Sequence, residues 1–244
     1  KTESTTPMQK RPLIQVLDLF SGCGGLSYGF HKRGDKFSFL GAADFDLHSN
    51  RTYETNFRLQ PKKIDIETAT SSQISQIFGI KKELPLFFLG GPPCQGFSSH
   101  KKKDKRIDGR NSLVVKYAEL GIDCGADVIV MENVPDLFAK KHWTHYSTAK
   151  NLLENSGYLI SSGILNMAEF GVPQERFRAV LVASKTQRAP LPKGIFTRDE
   201  FNTVRRAISH LPKLNASENC VKDPMHITSK HRRQTIEIFE KIPF

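Results

Sequence analysis

Pro85-Leu86-Phe87-Phe88-Leu89-Gly90-Gly91-Pro92-Pro93-Cys94-Gln95-Gly96-Phe97-Ser98 is an apolar run that stops at two glycines and two prolines, with a cysteine directly behind them. The apolar half predicts a buried strand and the second half its break. A residue just past the carboxyl end of such a strand stands on the crevice edge of an open α/β sheet, where folds of that kind bind ligands. Two prolines fix φ at successive positions, and the flanking glycines let backbone approach a ligand closely. Cys94 is thus expected on a stiff mount with mobile flanks. Taken alone, the stretch also suits a buried structural cysteine, the common fate of a free thiol in an intracellular protein.

The neighbouring segments repeat the same punctuation. Ile14 to Phe20 is rich in β-formers and gives way to Ser21-Gly22-Cys23-Gly24-Gly25, after which Leu26, Tyr28, Phe30 and His31 begin a helix. Phe37 to Ala43 predicts a second strand ending on Asp44, with a polar helix through about Phe57. About 20 residues separate the glycines from Asp44, a spacing at which an acid can reach the ribose hydroxyls of a nucleoside cofactor. The full GxGxxG pattern is absent, because Ser27 stands where the third glycine belongs.

Beyond Asp65-Ile66 and a short helix from Ser72 to Phe78 comes the Cys94 strand, then the charged stretch Lys101-Lys102-Lys103-Asp104-Lys105-Arg106 and a helix from about Leu113 to Asp123. Asp127 to Met131 predicts another buried strand, which delivers Glu132-Asn133-Val134-Pro135 to the same edge as Cys94. A helix from Tyr146 to Ser156 and strands from Tyr158 to Leu165 and Phe177 to Ala183 follow. Alternation of strand and helix predicts an α/β fold, a doubly wound and mostly parallel sheet, with the Cys94 strand the fourth and the Glu132 strand the fifth. The core is expected to span residues 13–188, after a trimmed or disordered 1–12. From Ala189 to Phe244 the composition turns polar and loop-like, which predicts a second region without a core of its own.

Thirty-six Lys and Arg against 25 Asp and Glu give a net charge of +11, which favours a polyanionic partner, nucleic acid ahead of membrane. The four cysteines lie too far apart for CxxC spacing, so neither a zinc site nor a disulfide framework is indicated and a reducing compartment is expected. His142 and His145 lack a Cys or acid at ligand spacing and are expected on the surface. No apolar segment approaches the roughly 20 residues that span a bilayer.

Four segments in order carry a resemblance. Asp18-Leu19-Phe20-Ser21-Gly22-Cys23-Gly24-Gly25, Gly91-Pro92-Pro93-Cys94-Gln95-Gly96-Phe97-Ser98, Met131-Glu132-Asn133-Val134-Pro135 and Gln174-Glu175-Arg176-Phe177-Arg178 resemble the ordered motifs of the cytosine-5 DNA methyltransferases of restriction-modification systems. The resemblance covers about Leu17 to Ser184 and implies a Rossmann-like fold dependent on S-adenosylmethionine. It implies methyl transfer to C5 of cytosine in double-stranded DNA, with the base flipped out of the duplex and Cys94 bonded covalently to C6.

Residue by residue, it implies that Cys94, Glu132, Arg176 and Arg178 are catalytic, with Glu132 buried enough to keep a proton for N3 of the base. Phe20, Gly22, Gly24, Gly25, Leu26, Asp44, Phe45, Asp65, Ile66, Pro92 and Leu113 would bind the cofactor, Asp44 being shorter than the glutamate often found at the ribose. Gln95, Ser98, Lys101, Lys102, Lys103, Arg106 and Arg110 would contact DNA, the five basic residues between Lys101 and Arg106 clamping phosphates as a loop closes. No metal is implied. Asn133 would hold the Cys94 loop.

The family continues into a target-recognition region, whose incomplete start is expected in residues 189–244, and then into two further motifs that are not found here. The expectation is therefore a fragment, or one half of a split enzyme whose second polypeptide carries the remainder, binding cofactor weakly alone. A bacterial cytoplasmic protein, nucleoid-associated on DNA, is expected. A tRNA cytosine-5 methyltransferase shares the motif set, and a non-catalytic DNA-binding subunit on the same scaffold is the remaining alternative.

Overall fold

The computed structural model describes residues 13–93, 112–140, 143–223 and 225–242. A six-stranded sheet organises the first of two compact units, which comprises residues up to 166 together with 176–194. Its strands are β1 (Ile14–Leu19), β2 (Phe37–Ala43), β3 (Leu86–Gly90), β4 (Val128–Asn133), β5 (Leu159–Asn166) and β6 (Phe177–Ser184), in the order β2-β1-β3-β4-β6-β5. The first four pair in parallel, whereas β6 runs antiparallel to both β4 and β5. The helices α1 (Gly25–His31), α2 (Leu47–Phe57), α3 (Ser71–Phe78), α4 (Ser112–Asp123) and α5 (Trp143–Asn155) connect them.

The Cys94 strand is the third rather than the fourth, and the Glu132 strand the fourth rather than the fifth. Residues around Lys62 to Asp65 add no strand of their own. Pro61 precedes them, and they make a single bridge from Lys62 to Ala43.

Burial follows position in the sheet. Central β1 is covered from Gln15 onward and reads as an unbroken buried run, while β5 at the edge alternates. Gln15 is satisfied inside by its own amide: Nε2 donates to the carbonyls of Lys81 (2.8 Å) and Leu84 (3.1 Å), and Oε1 accepts from Lys81 N–H (2.9 Å). The core joins Leu17, Leu19, Phe88, Ile129, Met131 and Leu181 of the sheet to Ile74, Tyr117, Leu120 and Leu153 of the helices. Each such aliphatic or aromatic side chain contributes about 2 kcal/mol of burial. Thr70 and Gln73 form a reciprocal capping box that starts α3, and Gly79 ends it in the left-handed region.

The chain leaves β1 toward β2 on one side and returns to β3 on the other, so the strand order reverses between β1 and β3. Ligands of open α/β sheets settle outside the carboxyl ends of the strands at such a point. The glycine turn after β1 and the Gly90-Gly91-Pro92-Pro93 mount after β3 flank it.

The second compact unit comprises residues 167–175 and those from 195 onward, including α6 (Val204–Ile208) and α7 (Arg233–Glu240). Neither helix has a buried residue. The unit is held by local hydrogen bonds, such as Thr228 Oγ1 donating to the Asn215 carbonyl (2.6 Å) and Asn202 Nδ2 to the Gly171 carbonyl (2.9 Å).

Candidate active site

After β1 the backbone takes three left-handed steps, at Phe20 (φ 58°), Gly22 (53°) and Gly24 (93°). Gly24 admits no other residue: its φ disfavours a side chain, and a Cβ there would run into the Phe57 ring of α2. The turn is tied to the end of β2 by Asp44. One carboxylate oxygen, Oδ2, accepts Gly22 N–H (2.8 Å), while Oδ1 accepts Asp46 N–H (2.9 Å), next to the α2 cap where Asp46 takes Ser49 N–H. Asn50 Nδ2 adds a bond to the Asp44 carbonyl (3.1 Å). Asp44 thus braces the turn as well as facing the crevice, a task the sequence spacing did not reveal.

Phe20 is half-buried, its ring 6.4 Å from that of Tyr117. Phe45 is 65% exposed with Lys63 Nζ 5.0 Å from its ring centre. Ile66, Pro92 and Leu113 are buried and Leu26 is half-buried. Exposed Asp65 accepts Glu67 N–H on Oδ1 (3.1 Å).

Beneath the turn lies an acid that sequence reading placed only inside a motif. Asp18 is 1% exposed; Ser27 Oγ donates to its Oδ2 at 2.5 Å, and Tyr53 O–H donates to Ser27 Oγ at 2.9 Å. Its other oxygen, Oδ1, is buried and has no hydrogen-bond partner among the described residues, as is the case for Ser21 Oγ in the turn itself. Burial pushes the Asp18 carboxyl up to about 7, the Ser27 hydrogen bond opposing and the Asp44 charge adding to the rise.

The edge that carries the candidate catalytic residues is assembled from β3, β4 and β6. Gly90 pairs with Met131, so the segments leading to Cys94 and through Glu132 emerge side by side. Asn133 is buried and its Nδ2 donates to the Pro92 carbonyl (3.0 Å), two residues before Cys94. Glu132 Oε1 meets Arg178 Nε at 2.6 Å, and a Cβ on Gly91 would stand 3.3 Å from Glu132 Oε2. The Glu132 side chain keeps 38% of its exposure, so it is an ion-paired carboxyl at the rim rather than the buried acid expected from its apolar strand. Arg178 also donates from Nη1 to the Phe177 carbonyl (2.7 Å).

Arg176 is exposed and is held through its backbone, whose N–H donates to Asn166 Oδ1 (3.2 Å). Tyr117, wholly buried on α4, donates to the carbonyls of Phe88 (3.1 Å) and Val130 (2.8 Å), clamping β3 to β4 just inside the edge.

Cys94, Gln95, Ser98, Lys101, Lys102, Lys103, Arg106 and Arg110 lie outside the described residues, as does His142. His145 is half-buried rather than on the surface. Of the cysteines described, Cys124 is a structural thiol: its Sγ lies 3.9 Å from Ser75 Oγ and 3.8 Å from the Ser71 carbonyl, and burial pushes it to about 11.

The crevice fits a nucleoside cofactor. Among the described residues nothing lies within 4 Å of where a Cβ on Gly22 or Gly25 would stand, and two buried polar atoms beneath the turn, Asp18 Oδ1 and Ser21 Oγ, have no hydrogen-bond partner. Sequence reading missed Asp18, Ser27, Tyr53, Tyr117 and Asn166 as parts of the site. The only signal was Ser27 in place of the third glycine.

Comparison with known proteins agrees with this architecture. The family model described as C-5 cytosine-specific DNA methylase matches residues 14–242. The chain is 35% identical over 228 residues to the type II methyltransferase M1.HphI of Haemophilus parahaemolyticus, covering 92% of this chain and 59% of that one. It is 33% identical to M.DdeI of Desulfomicrobium norvegicum, covering 84% and 50% respectively. A solved DNA modification methyltransferase encoded within an E. coli prophage superposes with a TM-score of 0.69 at 28% identity, over 84% of this chain and 57% of that chain. The S. pombe Dnmt2 methyltransferase gives 0.58 at 25% identity, over 72% and 51%. The chain spans about half to three-fifths of the length of these relatives. With a family match that runs through both compact units, the chain belongs to the C-5 cytosine-specific DNA methylases.

Proposed function

We propose that this chain carries the cofactor-binding and bond-making half of a type II DNA methyltransferase, which methylates C5 of cytosine in double-stranded DNA. The observation that supports it most is the convergence at one sheet edge: the Cys94 mount, held by Asn133 through Pro92, beside a Glu132–Arg178 pair and across the strand reversal from an open glycine turn. S-adenosylmethionine supplies the methyl group when bound. Phe20, Gly22, Gly24, Gly25, Leu26, Asp44, Phe45, Asp65, Ile66, Pro92 and Leu113 would hold it.

The residues divide the work as follows. C5 of cytosine is a weak nucleophile, so the Cys94 thiolate adds to C6 and the electron pair of the C5–C6 bond moves onto the ring. Glu132 brings a proton that it donates to N3 where that charge accumulates, with Arg178 fixing the carboxyl and Arg176 reaching the base or its backbone. Once C5 carries the methyl, its proton leaves to a base, the pair returns to C5–C6, and the bond from carbon to sulfur breaks. The base lies inside a duplex and must be extruded first. Gln95, Ser98, Lys101, Lys102, Lys103, Arg106 and Arg110 would hold the opened strand by its phosphates. Residues 189–244 would begin the target-recognition region, a further segment or a second polypeptide would carry the remaining motifs, and the working place is the bacterial cytoplasm, on the nucleoid.

Trapping on duplexes containing 5-fluorocytosine tests this reading. Fluorine cannot leave C5 as a proton does, so with S-adenosylmethionine a covalent adduct should accumulate on Cys94 and be absent in Cys94→Ala, whose DNA affinity should be unchanged. Adducts on tRNA alone would replace DNA with RNA as substrate. No adduct on either, with the remainder of the protein supplied, would reduce the site to a scaffold.

A further inference from the structure

Tyr117 is a tyrosine at a place where packing alone asks only for a phenylalanine. It lies on α4, wholly buried against the rings of Phe88 and Phe20 and the backbone of Gly90. Phenylalanine would fill that space with no polar atom, whereas a buried phenol must find a partner for its hydroxyl or lose hydration at a cost. The hydroxyl finds two, and they belong to different strands: the Phe88 carbonyl of β3 (3.1 Å) and the Val130 carbonyl of β4 (2.8 Å). One proton faces two acceptors, so the bond is three-centred and ties both strands to the same oxygen.

The ring reaches a third strand. A Cβ on Gly90 would stand 2.5 Å from Tyr117 Cε2 and 2.5 Å from the Leu19 carbonyl, so the tyrosine ring and the end of β1 together fill the place of the missing side chain. The Phe20 ring, one residue past β1, lies 6.4 Å away. Tyr117 thus packs on β1, β3 and β4 close to where each ends. Gly90 is the last residue before the Gly91-Pro92-Pro93 mount, and Val130 stands two residues before Glu132.

We propose that Tyr117 is the positioning residue that sets the spacing between the cysteine mount and Glu132, its hydroxyl fixing β3 against β4 and its ring fixing where the mount leaves the sheet. Being wholly buried, it acts through these backbones and not by contact with the substrate. The proposal deepens the active-site reading above and rests on it. Attack at C6 and protonation at N3 fall on one cytosine ring, so the two strand ends must keep a fixed separation; a misplacement of about 1 Å can cost on the order of a hundredfold in rate.

The test pairs Tyr117 with a tyrosine of the same kind remote from the crevice. Tyr158 is also buried, and its hydroxyl donates to the Ala126 carbonyl, beyond the opposite end of β4. Adduct formation on 5-fluorocytosine duplexes is followed in single turnovers, with S-adenosylmethionine and DNA saturating and the remainder of the protein supplied. Tyr117→Phe should slow it on the order of tenfold, while the Kd for S-adenosylmethionine and for DNA stays within about twofold. Tyr158→Phe should lose as much in urea midpoint and keep its rate. Tyr117→4-aminophenylalanine, which restores an N–H donor at the same place, should recover most of the rate. An unaltered rate in Tyr117→Phe, an equal loss of rate in Tyr158→Phe, no recovery with the amine, or a Tyr117→Phe chain that does not fold each overturns the proposal, the last by making the hydroxyl a group for folding alone. No adduct with the unaltered chain removes the active-site reading, and the proposal with it.

Discussion

Replacing Asp18 by Asn should change how stability depends on pH, even without ligand. The carboxyl is raised from an ordinary 3.8 to about 7 by burial. The folded state therefore binds a proton that the unfolded chain has lost between those values, and stability falls as pH rises through the interval. Integrating the linkage, the loss from Asp18 between pH 5 and pH 8 is about 2.6 kcal/mol, a large share of a typical domain's net stability. Asn cannot ionise and is nearly isosteric, so the variant should lose this slope and become the more stable protein relative to its pH 5 value. Urea unfolding at pH 5, 6.5 and 8 measures it, with far-UV circular dichroism and the fluorescence of Trp143, the single tryptophan, which lies in the unit containing Asp18. The two proteins should diverge by 2–3 kcal/mol across the series. Parallel pH profiles would refute the claim that Asp18 is held as an acid by burial.

Three other changes test the remaining geometry. Gly24→Ala forces a side chain into a left-handed position against Phe57, and should cost roughly 2 kcal/mol or more in urea unfolding together with cofactor binding by dialysis. Arg178→Lys keeps the charge but loses the fixed Nε contact to Glu132, so kcat should fall on the order of tenfold to a hundredfold with little change in KM for DNA. Asn133→Ala removes the bond to the Pro92 carbonyl and should cost about 1–2 kcal/mol of stability, with slower adduct formation on 5-fluorocytosine duplexes in single-turnover kinetics.

Much of this was legible because punctuation in the sequence coincides with the carboxyl ends of strands. The breaks at Ser21 to Gly25, at Gly90 to Pro93 and at Glu132 to Pro135 each follow an apolar run, and each lies at the crevice. The helix beginning near Leu113 and the short one ending at Phe78 fall within a residue or so of their expected bounds. The expected extra strand failed because the Lys62 segment, following Pro61, makes one bridge and turns away. The Asp18 chain was illegible for another reason. Its members, at positions 18, 27 and 53, lie on a strand and two helices, and no local pattern encodes a hydrogen bond across 26 residues. Exposure was misjudged at Glu132, since an apolar strand does not disclose whether its last residue stands inside the sheet or at its rim.

The direction of β6 is the feature on which the Glu132–Arg178 edge depends most. Arg176 and Arg178 stand at the start of that strand, and in a wholly parallel sheet the start of a strand lies at the edge opposite the crevice. Were Ser184 to end such a strand beside Asn133, Arg178 and Arg176 would lie five and seven residues down from Glu132, about 17 and 24 Å at ~3.4 Å per residue. Because β6 enters antiparallel between β4 and β5, its first residues sit beside the last residues of β4: Asn133 pairs with Ala179 and Glu132 with Val180, and Arg178 at the adjoining position reaches Glu132 at 2.6 Å. The order of β5 and β6 follows from the same requirement. The edge strand β5 runs with the parallel set, so its last residue, Asn166, arrives opposite Phe177 at the crevice, where its side chain takes the Arg176 N–H. A single reversed strand thus brings the start of β6, and Arg178 with it, to the Glu132 carboxyl at the crevice rather than to the opposite edge of the sheet.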